Sequence, residues 1–446
     1  MILICYKHRY YHLYFGGIFK LFGQELFVMR MASTVLGTGI IFVSFKILKE
    51  LKLNIKWSVL SSALLFLFIK DNFYIDYNYA ILFIILVLIY IELKYKNYST
   101  RYNLLIGLLA GITILLKQST GIIISAITVL YLIIEKRDKE VLKAVGYRIL
   151  GVLIPCIILL IYLLATNSMP SFIDYCVLGI GTFKNSISYL KLLRGGDLTA
   201  IWGMIAPLTL VVLLVINIIN IKRKVIKTKE SNLILFVYAV AEFTVVYPIA
   251  DKVHFVIAAF PAILITLYYI CKKIQEIKNI KVSIFIEHFM NIITISFVGI
   301  LILQAINDIY LYTQMDKSIL NHFSNIPISS TLQARIIEVD AYIKDEERDV
   351  YILDSEAAVY MIPLDKYNKD FDMFLKGNLG LASEEGQIEK IKNMENAVIL
   401  IKNDKMALNW QTPTKVIEYI KNNLEKIGTV SFFDVYIFPI LLYKHQ

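Results

Sequence analysis

The sequence has few cysteines, and they follow no pattern. Its 446 residues include only four, Cys5, Cys156, Cys176 and Cys271, and the tail after Cys271 has none. Disulfide frameworks and zinc sites need cysteines at regular spacings, often with histidines. The sequence therefore predicts neither a disulfide scaffold nor a metal centre, and it assigns no metal ligands.

Charged residues are also scarce. They make up 18% of the chain, whereas 57% of the residues are hydrophobic and the mean hydropathy is +0.63. Soluble domains are only about half apolar. Apolar runs recur from about Phe27 to Gln304, so the sequence predicts a polytopic membrane protein. The net charge of +10 then indicates basic cytoplasmic loops and no nucleic-acid partner.

The apolar runs predict about ten membrane helices, several of them shorter than the roughly 20 residues of a full span. Their ranges are 27–48, 55–70, 79–93, 103–116, 119–134, 149–166, 198–219, 232–249, 254–271 and 284–305. Alternate loops are rich in Lys and Arg, which marks them as cytoplasmic. The other loops and both termini are therefore predicted to lie outside. These outer loops cover 70–79, 116–121, 167–197 and the start of 247–261.

The tail from about 310 to 446 is charged and lacks any span. The stretches 349–355, 396–404 and 429–439 are typical of strands, and 412–428 of an amphipathic helix with Thr412 as N-cap and Gly428 as its stop. Strands that alternate with helices indicate a small α/β domain. The predicted fold class is thus a polytopic α-helical membrane protein with a C-terminal extracytoplasmic α/β domain. No glycine-rich phosphate loop follows a strand, so nucleotide binding is not predicted there.

Ionisable residues interrupt the apolar pattern in "YPIADKVHFVIAAFP" (247–261). Asp251 and His254 are three residues apart and share a face if the following helix begins at 251. The start of that helix would offer free N–H groups to an anion such as a phosphate. Asp251 could orient His254 or bind a divalent cation. Alternatively, Asp251 is a helix N-cap and His254 an interfacial residue.

Other polar residues are predicted on the same outer side. Lys117 and Gln118 end a helical run, where a lysine at membrane depth is either functional or directed to the headgroups. Asp76 and Asn78 occupy a neighbouring outer loop and could be simply solvated. Convergence on one face favours a shared pocket. In the loop 167–197, residues 172–193 could lie along the interface, and Arg194 could meet an anionic membrane lipid.

Four stretches together resemble the GT-C superfamily of integral-membrane glycosyltransferases, of the bacterial type related to protein O-mannosyltransferases and aminoarabinose transferases. They are "YYHLYFGGIFKLFGQELFVMRMASTVLG" (10–37), "DYNYAILFIILVLIY" (76–90), "GLLAGITILLKQSTG" (107–121) and "YPIADKVHFVIAAFPAILI" (247–265). The resemblance implies a first-outer-loop remnant at 1–26, a transmembrane domain at 27–305 and the α/β domain at 310–446.

The resemblance implies transfer of a sugar from a polyprenyl-phosphate donor to a cell-envelope acceptor on the outer face. On this interpretation Lys117 and His254 hold the lipid phosphate and Asp251 orients His254. Asp76 is a weaker catalytic candidate. The matched segments also place Gln118, Tyr247 and Asn78 at the substrate, and the interfacial loop adds Arg194.

The sequence departs from the family at its start. Members carry an acidic catalytic residue early in the first outer loop, after a first helix, but no Asp or Glu precedes Glu25 here and residues 1–26 form no convincing span. We therefore expect the chain to begin inside that loop and to have weak or no transferase activity as written. Two alternatives are a flippase or transporter of lipid-linked saccharide, which predicts mid-membrane charges and inverted repeats, and a non-catalytic membrane scaffold.

Overall fold

The structure is a computed structural model, and it is described for residues 20–70, 73, 76–95, 99–135, 139–179, 185–186, 198–222, 229–277, 280–368, 371, 374–403 and 411–439. The chain divides into two compact units. A helical unit comprises residues 31–162 and 185–313, and a mixed unit comprises residues 1–30, 163–184 and 314–446.

Each of the ten predicted apolar runs corresponds to a helix. In chain order they are α1 (Leu26–Glu50), α2 (Ile55–Lys70), α3 (Tyr77–Lys94), α4 (Thr100–Leu116), α5 (Gln118–Glu135), α6 (Lys139–Ala165), α8 (Leu198–Lys222), α9 (Lys229–Phe243), α10 (Lys252–Gln275) and α11 (Ile280–Gln314), with a short α7 (Met169–Phe172) between α6 and α8. Among the described residues, α1, α3, α6, α10 and α11 contain segments long and apolar enough to cross a membrane. The chain is a multi-pass membrane protein.

Helix α10 is the centre of the helical unit, because it packs against α2, α3, α8 and α9. Its middle turns carry the small residues Ala258, Ala259 and Ala262, all buried, which let neighbouring backbones approach closely. Phe260 is fully buried between them, with its ring 6.5 Å from that of Phe68 on α2.

A buried ion pair joins α6 to α3 near the C-terminal end of α3, which is at Lys94. Arg148 of α6 lies 2.7 Å from the Glu92 carboxylate, and both side chains are almost fully buried. Arg148 also donates to Asn103 at 2.8 Å, and Tyr238 donates to Glu92 at 3.2 Å. Gly107 permits this approach, since a side chain there would overlap the Arg148 carbonyl. The network satisfies the charges it buries.

The mixed unit contains a four-stranded sheet of order β3-β4-β6-β5, and a two-stranded ladder of β1 (Asn185–Ser186) and β2 (Ile249–Ala250) lies in the helical unit. The four strands are β3 (Asp349–Leu353), β4 (Ala397–Lys402), β5 (Glu425–Val430) and β6 (Phe433–Ile437). β3 and β4 are parallel and the remaining pairs are antiparallel. The helices that accompany the sheet are α12 (Ser330–Asp345), α13 (Ala358–Met361), α14 (Ser383–Lys392) and α15 (Thr414–Asn423).

Both faces of this sheet are covered. Val398 and Leu400 of β4 pack with residues of α12, whereas Ile399 and Ile401 pack with residues of α14 and α15. A strand buried on both faces needs a continuous apolar run, which explains "AVILIK". The predicted α/β domain is confirmed as a helix–sheet–helix arrangement.

The predicted helix 412–428 is wrong at both ends, because Pro413 and not Thr412 is its N-cap and its last five residues lie beyond the helix. The helix begins after Pro413 and ends at Asn423, and Gly428 lies inside β5. The predicted strand 429–439 is likewise the end of β5, a turn at Ser431 and then β6. Five of the six β5 residues are exposed, so this edge strand has no apolar alternation to distinguish it from a helix.

Removal of the Arg148 guanidinium should destabilise the helical unit strongly. Arg148→Ala leaves Glu92 buried without its cation, which typically costs about 3–5 kcal/mol. We expect a lower thermal unfolding temperature in detergent, measured by size-exclusion chromatography after heating. Lys273→Ala is the control, because Lys273 is 79% exposed in its pair with Glu276. Equal unfolding temperatures for Arg148→Ala and Lys273→Ala would contradict the assigned role.

The mixed unit should lose stability as Asp340 ionises. Burial raises the pKa of Asp340 to about 6, against a smaller opposing effect of Lys344. The folded chain therefore binds this proton more tightly than the unfolded chain, and the free energy of unfolding falls between about pH 4 and pH 6. Asp340→Asn should stabilise the protein at pH 8 by about 1 kcal/mol, since solvent screens part of the cost, and by much less at pH 5. Thermal unfolding temperatures at pH 5 and pH 8 test this prediction, and Asp345→Asn, at an exposed site, is the control. An increase in stability of Asp340→Asn that is equal at both pH values would contradict it.

Candidate functional site

Three segments of the helical unit bring five predicted residues together. Asp76 and Asn78 lie at the start of α3, Lys117 lies between α4 and α5, and Asp251 and His254 lie at the start of α10. We call these five residues the polar cluster. The contacts described below link these five residues to one another.

Lys117 lies at a break between two helices. It has an extended backbone conformation after α4, and α5 begins at the next residue. Gly121 makes the tight junction possible, because a side chain there would overlap the backbone of Thr113 and Ile114. The Lys117 side chain is 7% exposed, and its Nζ donates to the Val245 carbonyl at 2.6 Å and to Asn78 Oδ1 at 3.3 Å.

Asp251 fixes the orientation of His254. It is the N-cap of α10, and its Oδ1 accepts from the His254 backbone N–H at 3.0 Å and lies 2.7 Å from ring Nδ1. A carboxylate can only accept, so this contact places a ring proton on Nδ1. Burial works to raise the pKa of Asp251, but hydrogen bonds and charge from His254 outweigh it and lower the pKa below its ordinary value.

Asn78 joins the two halves of the cluster. It is 1% exposed, its Oδ1 faces Lys117, and its Nδ2 lies 3.5 Å from His254 Nε2. An amide is suited to this position because it presents an acceptor to the ammonium and a donor to the imidazole nitrogen.

Asp76 is the N-cap of α3 and accepts from the Asn78 backbone N–H. Burial raises its pKa, and the Asn78 hydrogen bond and the charges of His254 and Lys117 oppose that shift. Asp76 is therefore within electrostatic reach of both basic residues of the cluster. Among the described residues, no three His, Cys, Asp or Glu side chains are grouped so that they could hold a metal ion.

The other predicted site residues are less directly placed. Gln118 is half-buried as the first residue of α5. Tyr247 is 44% exposed and precedes Pro248 through a cis peptide bond. The two-residue pairing of β1 with β2 holds the chain just before Asp251. Arg194 and residues 187–197 lie outside the described residues.

Two groups near the cluster were missed by sequence reasoning. One is the Val245 carbonyl, which carries no sequence signal because every residue has one. The other is Glu242, fully buried in the last turn of α9 and within reach of the Lys117 charge. A glutamate inside the apolar run "FVYAVAEFTVV" is a signal that could have identified it.

Comparisons with known proteins found matches to a family model and to solved structures. Residues 11–166 match the model of the family described as "Dolichyl-phosphate-mannose-protein mannosyltransferase", a range that includes Asp76, Asn78 and Lys117. Crystal structures of ArnT from Cupriavidus metallidurans, one in the apo state and one bound to undecaprenyl phosphate, each match with a TM-score of 0.55. The sequence identity is 13%, and each match covers 98% of this chain and 88% of the other.

No curated protein matches the chain by sequence. The identity with ArnT is too low to carry residue roles, so what the two chains share is the fold. The family match over 11–166 and the structural match over nearly the whole chain lead to the same group. The chain therefore has the fold of the GT-C superfamily of integral-membrane glycosyltransferases, of the protein O-mannosyltransferase and ArnT type.

Proposed function

We propose that the chain is a membrane glycosyltransferase that moves a sugar from a polyprenyl-phosphate donor to a cell-envelope acceptor. The single observation that carries this proposal is the polar cluster, in which Asn78 contacts both a buried ammonium and an oriented imidazole in a glycosyltransferase fold. The ArnT structure of that fold is bound to undecaprenyl phosphate, which supports a lipid-linked donor.

The donor phosphate would bind at Lys117 and His254. In the transfer the bond between the sugar and the phosphate oxygen breaks, and a bond to the acceptor oxygen forms. Negative charge then develops on the leaving phosphate, and a preorganised cation lowers the barrier. Lys117 is held in place by Val245 and Asn78, so little reorganisation is needed as this charge appears.

Two carboxyl groups have separate proposed roles. Asp251 positions His254 through the 2.7 Å contact to Nδ1. Asp76 is the candidate base for the acceptor proton, since burial raises its pKa toward the range of an effective general base. Gln118, Tyr247 and Arg194 are proposed to contact the substrate.

The proposed orientation places the polar cluster and the α/β domain (310–446) on the extracytoplasmic side. Its support is the concentration of Lys and Arg in the alternate loops, such as those at 46–56 and 136–148. We propose the transmembrane domain at 27–305 on the same basis.

A transporter of lipid-linked saccharide is the second candidate, favoured by the buried ionisable residues of the helical unit. Of these, Glu92 and Arg148 neutralise each other within a satisfied network. Such a pair stabilises the fold and does not indicate transport. Glu242 lies one turn before Val245, whose carbonyl binds Lys117, so it lies next to the polar cluster.

Neutralising Lys117 should weaken binding of polyprenyl phosphate. We expect Lys117→Gln in nanodiscs to bind undecaprenyl phosphate at least about tenfold more weakly, the equivalent of about 1.4 kcal/mol. Lys117→Arg should retain most of the affinity, because it keeps the positive charge. Binding is measured by native mass spectrometry, and sugar transfer to an added acceptor is followed in parallel.

Lys273→Ala is the matched control, because it also removes one lysine of the helical unit but at an exposed site. Its affinity should equal that of the wild type. Wild-type affinity in folded Lys117→Gln would contradict the proposed phosphate site. Movement of the lipid across vesicles without sugar transfer would favour the transporter instead.

A further inference from the structure

Glu242 is a buried carboxyl group that the proposed reaction does not use. Its side chain is 0% exposed, and neither carboxylate oxygen has a hydrogen-bond partner among the residues that the structure describes. Buried polar groups in proteins are nearly always paired, and ionisable groups inside a membrane domain are costly. An orphaned carboxyl group at this place therefore calls for a functional explanation.

Lys117 is hydrogen-bonded to the chain one turn after Glu242. The 3₁₀ turn Thr244–Val246 follows directly after α9, and the Val245 carbonyl in that turn accepts from Lys117 Nζ at 2.6 Å. Glu242 precedes Val245 by three residues, which is one helical turn. The charge of Lys117 acts on the Glu242 carboxyl group.

Several described ionisable groups on α9 and on the helices packed against it have partners other than Glu242. On α9 itself, Tyr238 lies one turn before Glu242 and donates to Glu92 of α3, which pairs with Arg148. On α10, His254 faces Asp251 and Asn78. Tyr131 of α5 faces Arg148, and Tyr269 and Cys271 near the far end of α10 bond to Asn232 and Ser61. Asp76 at the start of α3 interacts with both Lys117 and His254.

Lys117 carries one positive charge, and the negative groups that act on it are Asp76, an ionised Glu242 and a phosphate bound in the polar cluster. If Glu242 is protonated, one of these negative charges is removed and more of the Lys117 charge is available to the phosphate. If Glu242 is ionised, a phosphate would share one ammonium with a second anion in a low-dielectric site, which weakens its binding.

We propose that Glu242 competes with the lipid phosphate for Lys117, so that protonation of Glu242 and binding of a lipid-linked phosphate favour each other. This inference rests on the proposed function, because it takes Lys117 as the phosphate site. Thermodynamic linkage makes the effect reciprocal, and the affinity for the phosphate falls as pH rises through the titration of Glu242. Glu242 is thus a positioning residue that sets how much charge Lys117 offers.

The test measures phosphate affinity against pH with a probe whose own charge is constant. A polyprenyl methyl phosphate is suitable, because a phosphodiester carries one negative charge throughout the range. In nanodiscs between pH 6 and pH 9, we expect wild-type affinity to fall at least about tenfold more than that of Glu242→Gln, since one linked proton changes affinity by up to tenfold per pH unit. Glu242→Asp should keep a pH-dependent affinity, because it keeps an ionisable group.

Glu276→Gln is the control, because Glu276 is an exposed glutamate of the helical unit and its loss should leave the wild-type profile unchanged. The inference is overturned if folded Glu242→Gln keeps the wild-type pH dependence, or if it loses affinity equally at every pH as a purely structural residue would. Absence of probe binding to the folded wild-type chain at every pH would overturn the proposed function, and this inference with it.

Discussion

The ammonium of Lys117 is a buried positive charge in an apolar unit, and the arrangement of the polar cluster depends on it. Its Nζ donates to the Val245 carbonyl and to Asn78 Oδ1, so one side chain ties together the starts of α3 and α5 and the end of α9. A buried charge is stable only with such partners. Because Asn78 also faces His254, one buried amide connects the ammonium to the imidazole.

Much of the cluster could be predicted from sequence, for a physical reason. Asp76, Lys117 and Asp251 are polar residues at the ends of apolar runs, where helices that cross a membrane bring their ends to a common surface. Their positions therefore follow from the hydropathy pattern. The linking role of Asn78 and the Val245 carbonyl do not, since both depend on how three helix ends pack. Glu242 stands out in sequence as an acidic residue inside an apolar run, but its proximity to Lys117 also depends on how the helices pack.

The fold shows the same division between pattern and packing. All ten apolar helices could be found, because each is an apolar run separated from the next by a polar or basic loop. The sheet of the mixed unit was only partly predictable. β4 has the apolar run of a strand buried on both faces, but β5 is an exposed edge strand whose residues follow Asn423 without any change in polarity. Its strand conformation comes from pairing with β6, which is a tertiary contact.

The central claim is that the polar cluster binds a lipid-linked phosphate through Lys117 and His254. The most direct test is an experimental structure of the full chain in a lipid nanodisc with undecaprenyl phosphate. We predict phosphate density within hydrogen-bond distance of Lys117 Nζ and on the His254 Nε2 side of the cluster, with Asp251 still in contact with Nδ1. Density for the phosphate elsewhere in the protein, with the cluster unchanged and empty, would contradict the account.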